Sequence, residues 1–138
     1  MTYNKENIFA KIIKGEAECV KILENDHILS FMDVMPQAPG HTLLIPKYGT
    51  EDIFNLPKDY FIHLMDAKQR IAKAVKNAYE PTGVMIMQLN GKEAGQTVFH
   101  LHFHIIPRKD GLNYKFHSSE IVNFKELEKE AEKIKKWL

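Results

Sequence analysis

Apolar residues in the first third of the chain recur first with the spacing of a helix and then with that of strands. Residues 8–14 place apolar side chains on one helical stripe, and Gly15 follows where a helix would end. Two extended runs, 19–23 and 28–32, are separated by a polar stretch typical of a hairpin turn. A further apolar run, 41–45, is bounded by proline. The pattern predicts one short helix followed by three strands.

The rest of the chain predicts a long helix, two more strands and a helix near the end. The helical period persists from about Pro57 to about Tyr79, and strands are predicted at 84–89 and 98–106. Asn123, with a glutamate three residues later, forms a capping-box pattern for the last helix. Too few long crossovers separate the strands for a doubly wound parallel sheet. We therefore predict an α+β fold with a mainly antiparallel five-stranded sheet.

Composition and charge exclude several kinds of partner. The 138 residues are 44% hydrophobic and 27% charged, which is typical of one globular domain spanning 1–138. A net charge of +1 favours neither nucleic acid nor an anionic membrane surface. The N-terminus lacks the apolar core of a signal peptide, and no apolar run is long enough to cross a bilayer. Since the single cysteine, Cys19, also favours a reducing compartment, we expect a cytoplasmic protein.

Three of the seven histidines alternate within the last predicted strand. Because successive side chains of a strand point to opposite faces, His100, His102 and His104 would share one face, about 13 Å long. The other face would carry apolar residues, namely Phe99, Leu101, Phe103 and Ile105. A solvated polar face is the simplest alternative, but a chance His-x-His-x-His in this composition has an expectation of roughly 0.02. The pattern indicates chemistry rather than solvation.

Two kinds of chemistry remain open for these histidines. His100 and His102 could chelate a metal with a third ligand such as His41. Alternatively, one imidazole is a nucleophile that its neighbours orient. The preceding loop, residues 90–97, contains two glycines, amide side chains and a hydroxyl, and such a loop can turn backbone N–H groups inward to bind an anion. A phosphate ester needs such a loop and a metal does not, so the loop favours the nucleophile.

In these segments the chain resembles a known family. Residues 95–106 fit the alternating histidine signature of the histidine triad (HIT) family and the approach to it. Residues 33–41 and 8–13 resemble two further segments of that family, in the same order. The resemblance covers about residues 7–108, leaves 109–138 as a variable tail, and is closest to Hint-like nucleoside phosphoramidate hydrolases and bacterial HIT proteins. It implies a HIT-like fold.

The resemblance implies a nucleotidyl hydrolase that works through a covalent intermediate. His102 would attack the α-phosphorus, expel the leaving group and form a nucleotidyl-imidazole, which water then hydrolyses to the nucleoside monophosphate. The other nitrogen of His102 should donate to a fixed acceptor such as a backbone carbonyl. His104 would hold the non-bridging oxygens together with the loop amides of Gln96 and Thr97.

The same resemblance assigns the remaining site residues. His100 and His41 would orient the nucleophile or stabilise the leaving group. Asp33 would accept hydrogen bonds from both ribose hydroxyls, although on its own it is typical of a turn before Pro36. The base pocket and further contacts to sugar or phosphate would come from residues that could equally be core or turn positions: Phe9, Phe31, Val34, Leu43, Asn90 and Gly95.

The resemblance also bears on assembly and metals. Relatives form homodimers by joining their sheets, which implies a homodimer here. Some bacterial relatives hold zinc with two N-terminal cysteines, a histidine after the third strand and the first histidine of the triad. The corresponding positions here are Asn7, Ala10 and Gly49, so we predict no structural zinc and no cofactor. His104 stands where the transferase branch carries glutamine, which favours hydrolysis.

Two alternative functions would use the same pocket. One is a dinucleoside polyphosphate hydrolase, and the other is a non-catalytic sensor or adaptor. In every case the predicted ligand is a purine nucleotide or a nucleotide conjugate. The remaining histidines, His27, His63 and His117, receive no role.

Overall fold

A computed structural model describes residues 2–109 and 120–138. Its helices and strands are, in chain order, α1 Ile8–Lys14, β1 Lys21–Glu24, β2 Ile28–Met32, β3 Thr42–Pro46, α2 Phe61–Tyr79, β4 Gly83–Gln88, β5 Phe103–Arg108 and α3 Phe124–Lys135. Short 3₁₀ turns lie between them at Ile53–Asn55, Lys58–Tyr60 and Lys92–Ala94.

The five strands form one antiparallel sheet in the order β1-β2-β3-β5-β4. This confirms the predicted α+β fold and its five-stranded sheet. Because β2 and β3 are antiparallel neighbours, the residue after β2 meets the residue before β3, and the N–H of Asp33 donates to the carbonyl of His41 at 3.1 Å. On the next strand, His104 is aligned with Leu43 of β3. The sheet thus brings Asp33, His41 and His104 close together.

Each face of the sheet has its own apolar layer. On one face, α2 and α3 pack against strand residues that include Phe103 and Ile105 of β5. On the other, α1 contributes Phe9 and Ile12 to a smaller cluster with residues of β2 and β3. Alternate residues of a strand face opposite sides, so His104 lies on the α1 side. The larger layer provides most of the core, and the smaller one borders the site.

The last strand is shorter than predicted. It was expected from residue 98 but begins at Phe103. β3 ends at Pro46, which has no N–H with which to continue the ladder. The N–H of Leu101 donates instead to the carbonyl of Thr50 at 2.8 Å. The prediction that all three triad histidines share one strand face is therefore wrong, because only the last of them lies on β5.

The helix boundaries follow local capping chemistry. α2 was expected from Pro57, but a 3₁₀ turn comes first and the α-helix begins at Phe61. The predicted cap of α3 is confirmed, since the side chain of Asn123 accepts the N–H of Glu126 at 3.0 Å. Within residues 2–109 and 120–138, no helix combines the length and the apolar character needed to cross a lipid bilayer.

Candidate active site

A cavity of about 450 Å³ opens beside α1, in the size range of small-ligand sites. The helix α1, the strands β2 and β3 and the histidine segment all contribute to its wall. The lining includes eight of the residues predicted from sequence: Phe9, Phe31, Asp33, Val34, Leu43, Thr97, His102 and His104. The candidates for the base pocket and two histidines of the triad therefore meet in one place.

The imidazole of His102 is held by the backbone of its own segment. Its Nδ1 lies 2.7 Å from the carbonyl oxygen of His100. A carbonyl can only accept, so Nδ1 carries the proton, and in the neutral ring the lone pair belongs to Nε2. The residue is 7% exposed, and its ring packs edge-on against Phe9 with 5.0 Å between the centroids. This is the anchor expected of a nucleophilic histidine.

A second hydrogen-bonded chain joins the loop after β2 to His104. The N–H of Gln37 donates to Nδ1 of His41 at 3.0 Å, which puts the proton of neutral His41 on Nε2. That nitrogen lies 2.9 Å from Nδ1 of His104. When Nδ1 of His104 accepts, the proton of its own ring is on Nε2. His104 then offers an N–H donor beside His102, at a ring separation of 5.0 Å.

Asp33 both closes a turn and lines the cavity. Its Oδ1 accepts the N–H of Met35 at 2.8 Å, which closes the turn after β2. Its Oδ2 lies 3.3 Å from Nε2 of His41, and the side chain lines the cavity. The turn therefore holds the Asp33 carboxylate next to the hydrogen-bonded pair of His41 and His104.

His100 is fully buried and does not line the cavity. Its Nε2 lies 2.8 Å from the carbonyl of Pro46, and its Nδ1 lies 2.5 Å from the hydroxyl of Tyr3. The carbonyl requires an N–H at Nε2, so Nδ1 accepts from the tyrosine. The pKa of His100 is lowered to about 4, mainly by burial. The hydrogen bond to Pro46 acts in the opposite direction, and the nearby His102 lowers the pKa further. The ring of His100 therefore stays neutral and buried. The residue contacts the site through its backbone carbonyl, which accepts the hydrogen bond from His102.

Tyr3 fills the space beside His100. A Cβ on Gly49 would lie 2.7 Å from the Tyr3 ring, so glycine permits this close approach. The side chain of Asn7 donates to the tyrosine hydroxyl at 2.8 Å and accepts the N–H of Ala10 at 2.9 Å. Asn7, Ala10 and Gly49 supply neither thiolate nor imidazole, and the tyrosine hydroxyl occupies Nδ1 of His100. These residues do not fit a zinc ion.

The histidines of the metal hypothesis are not brought together, because the first of them is turned away from the cavity. Among the described residues, one group of potential ligands lies within 4.8 Å, namely Asp33, His41 and His104. A metal there would need the unprotonated Nε2 of His41. The N–H of Gln37 at Nδ1 keeps the proton of neutral His41 on Nε2. The hydrogen bonding favours a proton network over a metal site.

The loop before the triad mostly stabilises its own structure. The N–H of Gln96 donates to the carbonyl of Gly91 at 3.1 Å, and its side chain accepts the Gly91 N–H at 2.7 Å. The side chain of Asn90 accepts the N–H of Ile53 at 3.0 Å. Of the loop residues predicted to contact the ligand, Thr97 lines the cavity, whereas Asn90, Gly95 and Gln96 do not.

The structure adds site residues that the sequence did not suggest. In the described part of the tail, residues 120–138, Ile121 and Phe124 form part of the cavity wall. A signal for Phe124 exists in the sequence, because it directly follows the helix cap at Asn123. Tyr3 has no local signal, since its partner is 97 positions away.

The histidines without an assigned role lie elsewhere. His27 and His63 stack on each other with 3.7 Å between ring centroids, outside the cavity lining. His117 lies outside the described residues.

Fold and site together define a class of protein: an α+β protein in which one strand of an antiparallel sheet, and the segment just before that strand, place histidines at a small-ligand cavity. A family model described as the HIT domain matches residues 14–111. The match covers well over half of the chain, and several relatives exceed 30% identity along most of their length. The chain therefore belongs to the histidine triad (HIT) family.

Three known proteins illustrate the likeness. A HIT-like protein involved in cell-cycle regulation from Bartonella henselae, crystallised with an unknown ligand, is 43% identical with a TM-score of 0.93 and covers 100% of both chains. The adenosine 5'-monophosphoramidase HNT1 of Candida albicans is 38% identical over 138 residues, covering 95% of this chain and 90% of that protein. A zinc-bound histidine triad family protein from Mycobacterium smegmatis is 31% identical with a TM-score of 0.80, covering 95% and 91%.

Proposed function

We propose that this protein hydrolyses nucleoside phosphoramidates or similar nucleotidyl conjugates and releases a nucleoside monophosphate through a nucleotidyl-His102 intermediate. The observation that carries the proposal is the 2.7 Å hydrogen bond from Nδ1 of His102 to the carbonyl of His100, in a ring that lines the cavity. It fixes the tautomer whose Nε2 can attack phosphorus. The name of the 38% identical protein from Candida albicans, a phosphoramidase, supports the substrate class.

In the first step, Nε2 of His102 attacks the α-phosphorus. The bond between phosphorus and Nε2 forms as the bond to the leaving amine breaks. The amine departs with a proton drawn from solvent through the hydroxyl of Thr97, which lines the cavity and is exposed. The N–H at Nε2 of His104 stabilises the non-bridging oxygens while their charge changes.

In the second step, water replaces the imidazole. Phosphorylation at Nε2 makes the ring cationic, so the hydrogen bond from Nδ1–H to the His100 carbonyl becomes charge-assisted. Water attacks the phosphorus, the bond to Nε2 breaks, and His102 regains its neutral ring as a proton passes to solvent. The products are the nucleoside monophosphate and the original tautomer, ready for another cycle.

Apolar and acidic groups of the cavity suit the nucleoside. Phe9, Phe31 and Leu43 offer an apolar wall for a purine. Asp33 offers acceptor oxygens for the ribose hydroxyls, which would select ribonucleotides.

The direct test measures release of AMP from a fluorogenic adenosine phosphoramidate, with and without EDTA. We expect wild type to turn over at a rate that EDTA leaves unchanged. His102→Ala should lose a factor of about 10⁴ or more, since the nucleophile is gone. His63→Ala, a histidine remote from the cavity, is the matched control and should retain the wild-type rate. Loss of activity in EDTA would favour a metal enzyme, and AMP binding without turnover would favour the sensor.

We also propose a homodimer joined along β4. Among the described residues β4 pairs with β5 alone and ends the sheet. Ile86 of β4 is 44% exposed, and the first turns of α2 expose Ile62 (73%) and Met65 (61%). The opposite edge strand, β1, carries exposed charges at both ends instead. An apolar, uncharged edge is suited to pairing with a second strand, and a charged edge resists it.

A further inference from the structure

The loop from Asp33 to His41 is tied to the C-terminal tail at both of its ends. Near the start of the loop, the N–H of Val122 donates to the carbonyl of Val34 at 2.9 Å. Near its end, the N–H of Gly40 donates to Oε1 of Glu130 at 2.6 Å. The segment that carries two of the site's polar side chains therefore depends on residues outside the histidine signature.

Gly40 lies in close contact with the ring of Tyr79. Gly40 has a φ of +89°, and a Cβ there would lie 2.6 Å from the ring of Tyr79, so the backbone rests directly against the aromatic face. The hydroxyl of Tyr79 donates to the same oxygen of Glu130 at 3.3 Å. Burial, reinforced by the nearby Glu130 carboxylate, raises the pKa of Tyr79, so the phenol remains a donor. One carboxylate oxygen thus accepts from both the loop and the end of α2.

Glu130 lies on a helix that is fixed to the main core. Leu127, Ala131 and Ile134 of α3 are buried in the layer shared with α2. The core therefore fixes the position of the helix, and the carboxylate of Glu130 on this helix holds the loop through the N–H of Gly40.

We propose that Glu130 is a positioning residue for the reaction, acting through Gly40 on the adjacent His41 and from there on His104. This inference rests on the proposed function. The link to the chemistry is the 2.9 Å contact between Nε2 of His41 and Nδ1 of His104, which sets the N–H that His104 offers to phosphate oxygens. Holding His41 in place keeps that donor aligned.

Removal of Glu130 takes away the acceptor of the Gly40 N–H, next to His41, but leaves other contacts of the loop intact. The N–H of Val122 still donates to the carbonyl of Val34, and the N–H of Asp33 still donates to the carbonyl of His41, so the residues proposed to bind the nucleoside stay in place. We therefore expect Glu130→Ala to lower kcat by about tenfold, the effect of one charge-assisted hydrogen bond, with KM changed by less than about twofold.

The experiment compares three variants of the full chain. Glu130→Ala removes the acceptor, and Glu130→Gln keeps an oxygen for the Gly40 N–H and should restore most of kcat. Glu128→Ala, at an exposed position of the same helix, is the matched control and should leave kcat unchanged. Thermal melting monitored by circular dichroism establishes that each variant is folded at the assay temperature.

A second readout does not depend on turnover. In ¹⁵N spectra of the imidazoles, Glu130→Ala should shift the resonances of His41 and His104, whereas Glu128→Ala should not. Unchanged spectra and unchanged kcat in Glu130→Ala would overturn the inference, as would a parallel loss of kcat in both alanine variants. An inactive wild type would contradict the hydrolase proposal instead, and the spectra would still decide the role of Glu130.

Discussion

A backbone carbonyl, rather than a carboxylate, orients the proposed nucleophile. A carbonyl cannot be protonated near neutral pH, so the tautomer of His102 is set by geometry alone. The carbonyl belongs to His100, whose ring is held between Pro46 and the hydroxyl of Tyr3. Burial raises the pKa of Tyr3, so its hydroxyl stays protonated and donates the hydrogen bond to His100. The position of the nucleophile therefore depends on a neutral network that begins at the N-terminus.

Removing the tyrosine hydroxyl tests this network. Tyr3→Phe leaves Nδ1 of buried His100 without its donor while keeping the ring that fills the space beside Gly49. Loss of one such hydrogen bond should lower kcat/KM by about fivefold. Steady-state assays of Tyr3→Phe beside Tyr48→Phe, whose side chain is exposed, measure the effect. Equal kinetics in the two variants would contradict a role for Tyr3.

The buried ring of His100 should also make folding sensitive to acid. Its pKa is about 4 in the folded protein, below the ordinary value of 6.5, so between these values the unfolded chain binds a proton that the folded chain does not. The unfolding free energy should therefore fall as pH is lowered from about 6.5 and stop falling from this source below about 4.

Urea unfolding at pH 7 and pH 5 measures this dependence. His100→Gln should show a smaller decrease than wild type between the two pH values, because the titrating group is gone. Ile62→Val, which changes an exposed apolar side chain on α2, should keep the wild-type decrease. A His100→Gln variant with the full wild-type decrease would assign the acid sensitivity to other groups.

At the scale of elements, local patterns predict structure where a segment decides its own conformation. The predicted bounds of α1 and β2 are those observed, and the capping residue of α3 is the one expected. β5 differs because its beginning is decided elsewhere: Pro46 interrupts the ladder on β3, and Thr50 takes the N–H of Leu101. No periodicity within residues 98–106 reports on those distant partners.

The residues of the site also fall into two groups, those that the sequence predicts and those that only the fold reveals. Two short motifs, one in residues 33–41 and one in residues 95–106, single out Asp33, His102 and His104, and all three line the cavity. Contacts that complete the site join segments far apart, with 97 positions between Tyr3 and His100 and 90 between Gly40 and Glu130. Neither capping nor hydrophobic spacing specifies which distant segments meet, so these contacts come from the fold alone.

At the scale of the whole molecule, the sheet separates stability from chemistry. The layer under α2 and α3 carries most of the buried apolar residues, and the opposite side carries the cavity. The tail belongs to both, since α3 packs into the core while Ile121 and Phe124 line the cavity. The two edges of the sheet differ as well, with a charged β1 and an apolar β4.

The difference between the edges predicts how the molecule assembles. Light scattering after size exclusion should give the mass of a dimer for wild type. Ile86→Lys puts a charge on the β4 edge and should shift the mass towards a monomer. Glu24→Lys, at the β1 edge, is the control and should remain dimeric. A monomeric wild type, or an Ile86→Lys variant that stays dimeric, would contradict joining along β4.

We propose a reaction that passes through a bond between phosphorus and His102, and the stereochemical course at phosphorus distinguishes this route from a single displacement by water. A substrate with a chiral phosphorothioate at the α-position is hydrolysed in ¹⁸O-labelled water, and the configuration of the product is determined by ³¹P spectroscopy. Two successive in-line displacements, first by Nε2 of His102 and then by water, each invert phosphorus and predict overall retention. Overall inversion would show a single attack by water and would contradict the covalent intermediate.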